Sequence, residues 1–278
     1  MNKSIKYFAC SLMMGAAVVS CGKDDNKTDG PDPGTETPTE TIVIDGNFAD
    51  WDAVPGVVSA TLPDGVKENA ALKTIKFTAD DDYIYCYVQY ENHLKALKGV
   101  DPSWDGNGAW RIDGKTCIPT PLRVFFDCDN NPKTGMMCGN CFTKIGAEIA
   151  MELYEYMAVE TGKVELAWSQ CNIMNVEKGA EDGDDFNDGT PPQKWGDDGN
   201  GNRDNTLVLK NDFKAKVSGK MVEVEFAVSK SAMDELTGDT VNISVQFMGC
   251  DSGPDGGFSQ FGYLPQGGDK QYVSLKLR

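Results

Sequence analysis

Oxygen-bearing side chains recur at alternate positions in two glycine-containing stretches of this chain. Asp127-x-Asp129-x-Asn131 is followed by Thr134 and Gly135, and Asp198-x-Asn200-x-Asn202-x-Asp204 repeats the spacing with Gly199 and Gly201 between. A hard divalent cation takes roughly six to eight oxygen ligands, and alternate residues of a tight loop can aim theirs at one centre. Ca2+ is therefore the expected cofactor, held by Asp127, Asp129 and Asn131, by Asp198, Asn200, Asn202 and Asp204, or by both groups. Neither is a complete EF-hand loop, because Cys138 and Leu209 stand where the closing bidentate Glu belongs. The alternative for each is a solvated Asp/Asn turn, since these side chains favour such geometry unaided. Asp182, Asp184, Asp185 and Asp188 are less regular and read as such a turn.

A second chemistry is ring stacking. Trp104 and Trp110 bracket Asp105-Gly106-Asn107-Gly108, Trp195 follows Pro191-Pro192-Gln193-Lys194, and Phe258, Phe261 and Tyr263 line the last loop, toward the C-terminus, with Gln260. Flat aromatic faces trimmed by amides and carboxylates suit carbohydrate, so Trp104, Trp110, Trp195, Gln260, Phe261 and Tyr263 are the expected ligand-binding residues. The competing reading has each aromatic folding back to pin its own loop. Trp51 and Trp168 sit in strand contexts and read as core.

Catalysis finds little equipment. The chain has one histidine, His93, which removes Ser-His-Asp and Cys-His chemistry and bis-His haem ligation. Glu148, Glu152 and Tyr154 can share one strand face, and a carboxylate pair is what a glycosidase uses. Carboxylates spaced by four on a strand are also an ordinary polar face, and no nucleophile-plus-base pair or phosphate loop accompanies them. The expectation is a non-catalytic protein. Cys138-Gly139-Asn140-Cys141, with Cys117 and Cys128, lacks the second close pair of a zinc ribbon, so a loop disulfide or plain thiols fit better than zinc.

The elements that must position these residues are short strands. Alternating or apolar runs fall at Thr41–Asp45, Val57–Leu62, Leu72–Ala79, Tyr83–Tyr90, Leu122–Asp127, Glu148–Tyr156, Lys163–Trp168, Thr206–Leu209, Phe213–Val217, Met221–Val228, Val241–Gly249 and Tyr272–Leu277. Ile75, Phe77 and Ala79 alternate with Lys76 and Thr78, the period-2 signature of a half-buried strand. Ser218-Gly219-Lys220 supplies a turn, making Phe213–Val228 a hairpin. No long stretch has helical periodicity; Ser229–Leu236 is at most a short helix, and His93 lies in what reads as another. The fold class is all-β: an antiparallel β-sandwich with jelly-roll or immunoglobulin-like layers. Long Asp/Gly-rich loops are expected at Glu91–Pro121, Asp129–Lys144 and Asn172–Asn205.

The N-terminus reads as an address. Lys3 and Lys6 precede an apolar run from Tyr7 to Val19, and Val18-Val19-Ser20-Cys21 follows the pattern of a signal peptide over residues 1–20. The run is too short to span a bilayer stably. Residues 21–40 are Asp-, Thr-, Pro-, Gly- and Glu-rich and read as a flexible tether, leaving residues 41–278 as one domain. Losing Lys3 and Lys6 from 26 basic residues leaves 24 against 43 acidic ones. So acidic a chain is repelled by phosphate backbones, which argues against nucleic acid as partner. Of nine cysteines, seven lie beyond Cys21, and an odd number cannot all pair.

Several of these features carry resemblances. Val18-Val19-Ser20-Cys21 resembles the lipobox of bacterial lipoproteins, which implies lipidation at Cys21. Gly22-Lys23-Asp24-Asp25 is similar to the acidic stretch after the lipidated Cys in surface lipoproteins of Bacteroidetes, which implies an outer-membrane anchor facing outward. The ordered motifs Ile42-Val43-Ile44-Asp45-Gly46 with Asp50-Trp51, Asp80-Asp81-Asp82 before Tyr83–Val88, Val124-Phe125-Phe126-Asp127-Cys128-Asp129-Asn130 and Gly262-Tyr263-Leu264-Pro265 resemble family 9-like carbohydrate-binding modules and DOMON-like sandwiches. The resemblance implies glycan capture, with an outer-membrane transporter or a hydrolase as protein partner. Two alternatives stand: a structural or adhesive surface protein, and a haem-binding DOMON-like module, for which Met ligation would be needed beside a single His.

Overall fold

The computed structural model describes residues 41–99, 110–112, 115–117, 120–131, 136–138, 143–175, 194–195, 202–203, 213–233, 235–250, 258–267 and 270–278. Two antiparallel sheets dominate. The first has five strands in the order β1 (Val58–Thr61), β2 (Leu72–Ala79), β3 (Tyr83–Glu91), β15 (Met221–Ser229) and β14 (Phe213–Ser218). The second has nine, with the path β12 (Lys194–Trp195), β11 (Val164–Asn175), β10 (Ile149–Ala158), β7 (Thr120–Asp127), β16 (Thr240–Cys250) and β17 (Phe258–Leu264). Three short strands complete it: β13 (Asn202–Arg203) on β11, β18 (Val273–Lys276) on β16 and, in parallel, β4 (Ala96–Leu97) on β10. Two ribbons stand apart, β5 (Trp110–Ile112) with β6 (Lys115–Cys117) and β8 (Met136–Cys138) with β9 (Thr143–Ala147). The all-β sandwich read from the sequence is the fold. No helix among the described residues is long and apolar enough to cross a membrane.

Period-2 patterning decides which residues meet between the sheets. Ile75 and Phe77 of β2, Val222, Val224, Phe226 and Val228 of β15, Leu122, Val124 and Phe126 of β7, and Val241, Ile243, Val245 and Phe247 of β16 form one buried cluster. Each fully buried Leu, Val or Phe contributes about 1.5–3 kcal/mol through the area removed from water. Cys86 and Cys128 belong to this core, as their strand contexts imply. Ser218-Gly219-Lys220 does turn a hairpin, with Ser218 paired to Met221 and Gly219 at φ +62°.

Four sequence expectations differ in the structure. Thr41–Asp45 is not a strand. Its alternation is real, since Ile42 and Ile44 pack against Trp51 and Tyr87, but its backbone meets a side chain instead of a ladder. Asp45 and Gly46 N–H groups donate to Glu225 Oε1 at 3.0 and 2.7 Å, and Trp51 Nε1 donates to Glu225 Oε2 at 3.0 Å. Trp51 is buried as expected, though on a 3-10 turn (Asp50–Asp52) and not on a strand. Ser229–Leu236, expected to hold at most a short helix, contains a 3-10 turn at Lys230–Ala232 and so agrees. His93 lies on irregular backbone, and the segment read as a C-terminal loop, Phe258–Leu264, is strand β17. The expected strand Thr206–Leu209 lies outside the described residues.

The second sheet has an outer face facing away from this core, and its composition is unusual. Along β16, Asn242, Ser244 and Gln246 alternate with the core residues, and all three are buried. Register sets Asn242 opposite Asp127, Ser244 opposite Phe125 and Gln246 opposite Arg123. On the far side of β7, Arg123 faces Glu152 and Phe125 faces Ala150 of β10. This polar row carries the site.

Candidate metal centre

β7 ends at Asp127, where the chain leaves the sheet through a tight turn. Asn130 takes a left-handed conformation there, at φ +56°. Asn131 N–H donates to Asp127 Oδ1 at 3.1 Å and to Asp129 Oδ1 at 2.8 Å, which brings the oxygens of Asp127 and Asp129 together at one backbone donor. From β16, Asn242 Nδ2 donates to Asp127 Oδ2 at 2.9 Å and to Asn130 Oδ1 at 2.6 Å. Ser274 of β18 donates to Asn242 Oδ1 at 2.7 Å, which fixes the amide in turn. Three strands thus hold one carboxylate in place.

Glu148 is the third acidic member, and it arrives from β10. β9 and β10 are separated by a bend at Glu148, just after Gly146 at φ +67°. Glu148 N–H donates to Phe126 O at 3.0 Å, keeping the bend beside the end of β7. The Glu148 side chain then accepts the Cys128 N–H at Oε2, 2.7 Å away. Oxygens of Asp127, Asp129 and Glu148 all lie within 4.8 Å of one another. Glu148 Oε1 is buried and has no hydrogen-bond partner.

Electrostatics make such a cluster costly without a cation. Burial pushes Glu148 up to about 7, and the charges of Asp129 and Asp127 push the same way against the Cys128 N–H. Asp127 is also raised, first by burial, although Asn242 and the Asn131 N–H favour its charged form. A buried carboxylate oxygen with no donor forfeits its hydration without replacement. A divalent ion at this point would satisfy Glu148 Oε1 and remove the mutual repulsion together. The donors are all oxygens, so the arrangement suits a hard cation and can hold a metal ion. The Cys128 thiol is no part of it; its sulfur lies in the core, 3.7 Å from Phe126 O.

The remaining expected residues are spread differently. Asp198, Asn200, Asp204 and Trp104 lie at positions where either nothing or only a neighbour's backbone is described, and all four fall outside the described residues. Asn202, Trp110 and Trp195 are described as backbone only, in β13, β5 and β12, with Trp195 paired to Met174 and Asn202 to Asn172 of β11. Gln260, Phe261 and Tyr263 share β17 but not one side of it. Tyr263 pairs with Gln246 and Gln260 with Met248, whereas Phe261 falls at a break in register. Phe261 turns to the core edge and stacks on exposed His93, ring centroids 4.5 Å apart.

Glu152 and Tyr154 do share a face, as their spacing implies. Tyr154 OH donates to Glu152 Oε2 at 3.0 Å, and Glu152 Oε1 pairs with Arg123 Nε at 2.5 Å. Sequence reasoning missed Glu148 as a metal-site residue, and it missed Arg123, Asn242 and Gln246 altogether. One signal was available: Asn242, Ser244 and Gln246 are uncharged polar residues at every second position of a strongly apolar strand. In comparisons with known proteins, no protein-family model and no curated protein matches this chain.

Proposed function

We propose that this protein is a non-catalytic, membrane-anchored module that captures carbohydrate and is stiffened by a bound calcium ion. The observation that supports it best is the convergence of Asp127, Asp129 and Glu148 at the end of a polar sheet face, with Glu148 Oε1 buried and unpartnered. Calcium is the reading for the ion because it tolerates irregular, carboxylate-rich oxygen cages, while magnesium demands near-octahedral geometry and keeps its waters. The ion would lock the β7 turn to the β9–β10 bend. That fixes one end of the face on which Arg123, Glu152, Gln246 and Tyr263 stand in register.

Capture in place of cleavage is favoured by how the two carboxylates are used. Glu148 and Glu152 are held apart in separate arrangements, one at the bend before β10 beside the end of β7 and the other on β10 itself. Each is pinned by its own partner, Cys128 N–H for one and Arg123 for the other. Lipidation at Cys21, an acidic tether and an outward-facing outer-membrane location complete the proposal. Weak binding by single modules becomes effective when many are clustered on a surface. Affinity gels cast with soluble polysaccharides test the reading. Retardation that weakens when EGTA replaces calcium supports it, and unchanged mobility on every glycan rejects it. A Soret band in the purified protein would favour the haem alternative instead.

A further inference from the structure

Residues 41–57 lie against the outer face of the first sheet without joining it. Their backbone-to-backbone hydrogen bonds stay inside the segment: Asp45 N–H to Val43 O, Asp52 N–H to Ala49 O, and Ala53 and Val54 N–H to Asp50 O. Val43 and Asn47 N–H groups are also met from within, by Asp50 Oδ2 and Asp45 Oδ1. The sheet's own ladders do not use the segment. β15 pairs with β3 on one side and β14 on the other, which sets Glu225 opposite Tyr87 and Lys214. Polar attachment to the sandwich therefore comes down to three places. Glu225 accepts Asp45 N–H, Gly46 N–H and Trp51 Nε1–H at 3.0, 2.7 and 3.0 Å. Lys76 reaches Asp52 at 2.6 Å and Arg278 reaches Pro55 O at 3.5 Å, both in exposed positions where such bonds add little. Glu225 is the fastener, backed by the apolar cluster of Ile42, Trp51 and Tyr87, which is separate from the main core.

We propose that residues 41–57 are a detachable strap, a unit that lifts from the sandwich in one piece while both sheets stay paired. Lifting breaks no ladder bond. The fastener is polar on both sides, so the Glu225 carboxylate and the N–H groups it held all regain water. What resists is the apolar contact, in which Phe48 and Trp51 stand 5.8 and 5.7 Å from the Tyr87 ring between centroids. That cluster is small beside the core between the sheets, and elements with few buried apolar contacts open below the free energy of global unfolding. Position gives the strap its use. It is the first part of the domain after the tether read at residues 21–40, so tension between an anchor at Cys21 and a ligand held by the sandwich enters at Thr41. The strap parts before the sheets do, and its release adds roughly 55–60 Å of extended chain to the module's reach.

The gain in reach rests on the proposed anchoring at Cys21, whereas the strap does not, and the experiment separates them. The purified full chain is followed by native-state hydrogen exchange in low urea, read by mass spectrometry, beside Glu225→Gln. The expected result is that amides of residues 43–54 exchange at least about tenfold faster than those of β3 and β15, through an opening that leaves both strands protected. Glu225→Gln keeps the size of the fastener and removes its charge. It should speed exchange in the strap by a further tenfold or so, the equivalent of one hydrogen bond to a charged group, and leave β7 and β10 unchanged. Strap amides that exchange only together with β3 and β15 would overturn the proposal. Faster exchange in the parent with Glu225→Gln within about twofold would overturn Glu225 as the fastener. Should that variant fail to fold, Trp51→Phe removes one of the three donors and is held to the same two outcomes. Mass analysis of the exported protein showing Cys21 without lipid would remove the gain in reach and leave the strap standing.

Discussion

Glu148 carries most of the chemistry that one residue contributes here. Its carboxyl is raised to about 7, chiefly by burial, so the metal-free fold favours the protonated form. The stability this gives is complete below the ordinary value of 4.5 and is lost as pH rises through about 7. A cation reverses the preference by stabilising the carboxylate and displacing its proton. Calcium affinity should therefore fall as pH drops below 7, by up to about tenfold per pH unit for one displaced proton, as read by calorimetry at about pH 5.5, 6.5 and 7.5. Glu148→Gln should weaken calcium at least tenfold, since losing even an outer partner of a metal ligand costs about 10–100-fold. Glu155 behaves as a contrasting control. It is buried in the sandwich, accepts the Tyr90 hydroxyl, and is raised to about 8 by burial. Glu155→Gln should flatten the loss of melting temperature in EGTA as pH rises from about 4.5 to about 8, without altering calcium affinity. The Asp127 motif was legible from local spacing, because a turn's geometry is written in adjacent residues. Glu148 was not, because it lies 20 residues from Cys128 and reaches the turn only through strand pairing.

Among the elements, β2 was readable at both ends, Leu72 and Ala79, because Ile75, Phe77 and Ala79 alternate with polar residues and Leu72 is buried beyond the register shift at Leu72/Thr74. β17 was not, because Ser259, Gln260 and Gly262 resemble a loop and the register breaks at Phe261. Gly262 has a packing reason that composition does not reveal. A Cβ there would stand 2.6 Å from Leu72 N and 3.2 Å from Asn69 O, where β17 closes on the start of β2. Gly262→Ala should cost about 1–3 kcal/mol through overpacking, lowering the melting temperature by several degrees. The segment before β1 misled for a related reason. Its apolar alternation does mark a buried side, but its N–H groups dock on Glu225 across 179 and 180 residues of sequence. Trp51→Phe keeps most of the ring and removes the indole donor to Glu225 Oε2. It should destabilise by about 1–3 kcal/mol, checked by urea unfolding, with no change in calcium binding.

For the whole molecule, the two sheets have different work. The first faces the core on one side and the docked N-terminal segment on the other, through Ile42, Trp51 and Tyr87. The second holds the carboxylate cluster at one end of its outer face and the bonded amides of Gln246 and Gln260 towards the other, on the same three strands β7, β16 and β10 with β17. A net charge of −17 disfavours polyanions as partners of such a face. Anchoring by Cys21 and a tether over residues 21–40, both part of the proposed function, would set many copies side by side. The most direct test of that function is calcium-dependent retardation of the purified protein in gels containing neutral polysaccharides. The account predicts slowed migration on at least one of them, reduced by EGTA and by Glu148→Gln. Migration that is the same with and without every glycan tested would contradict it.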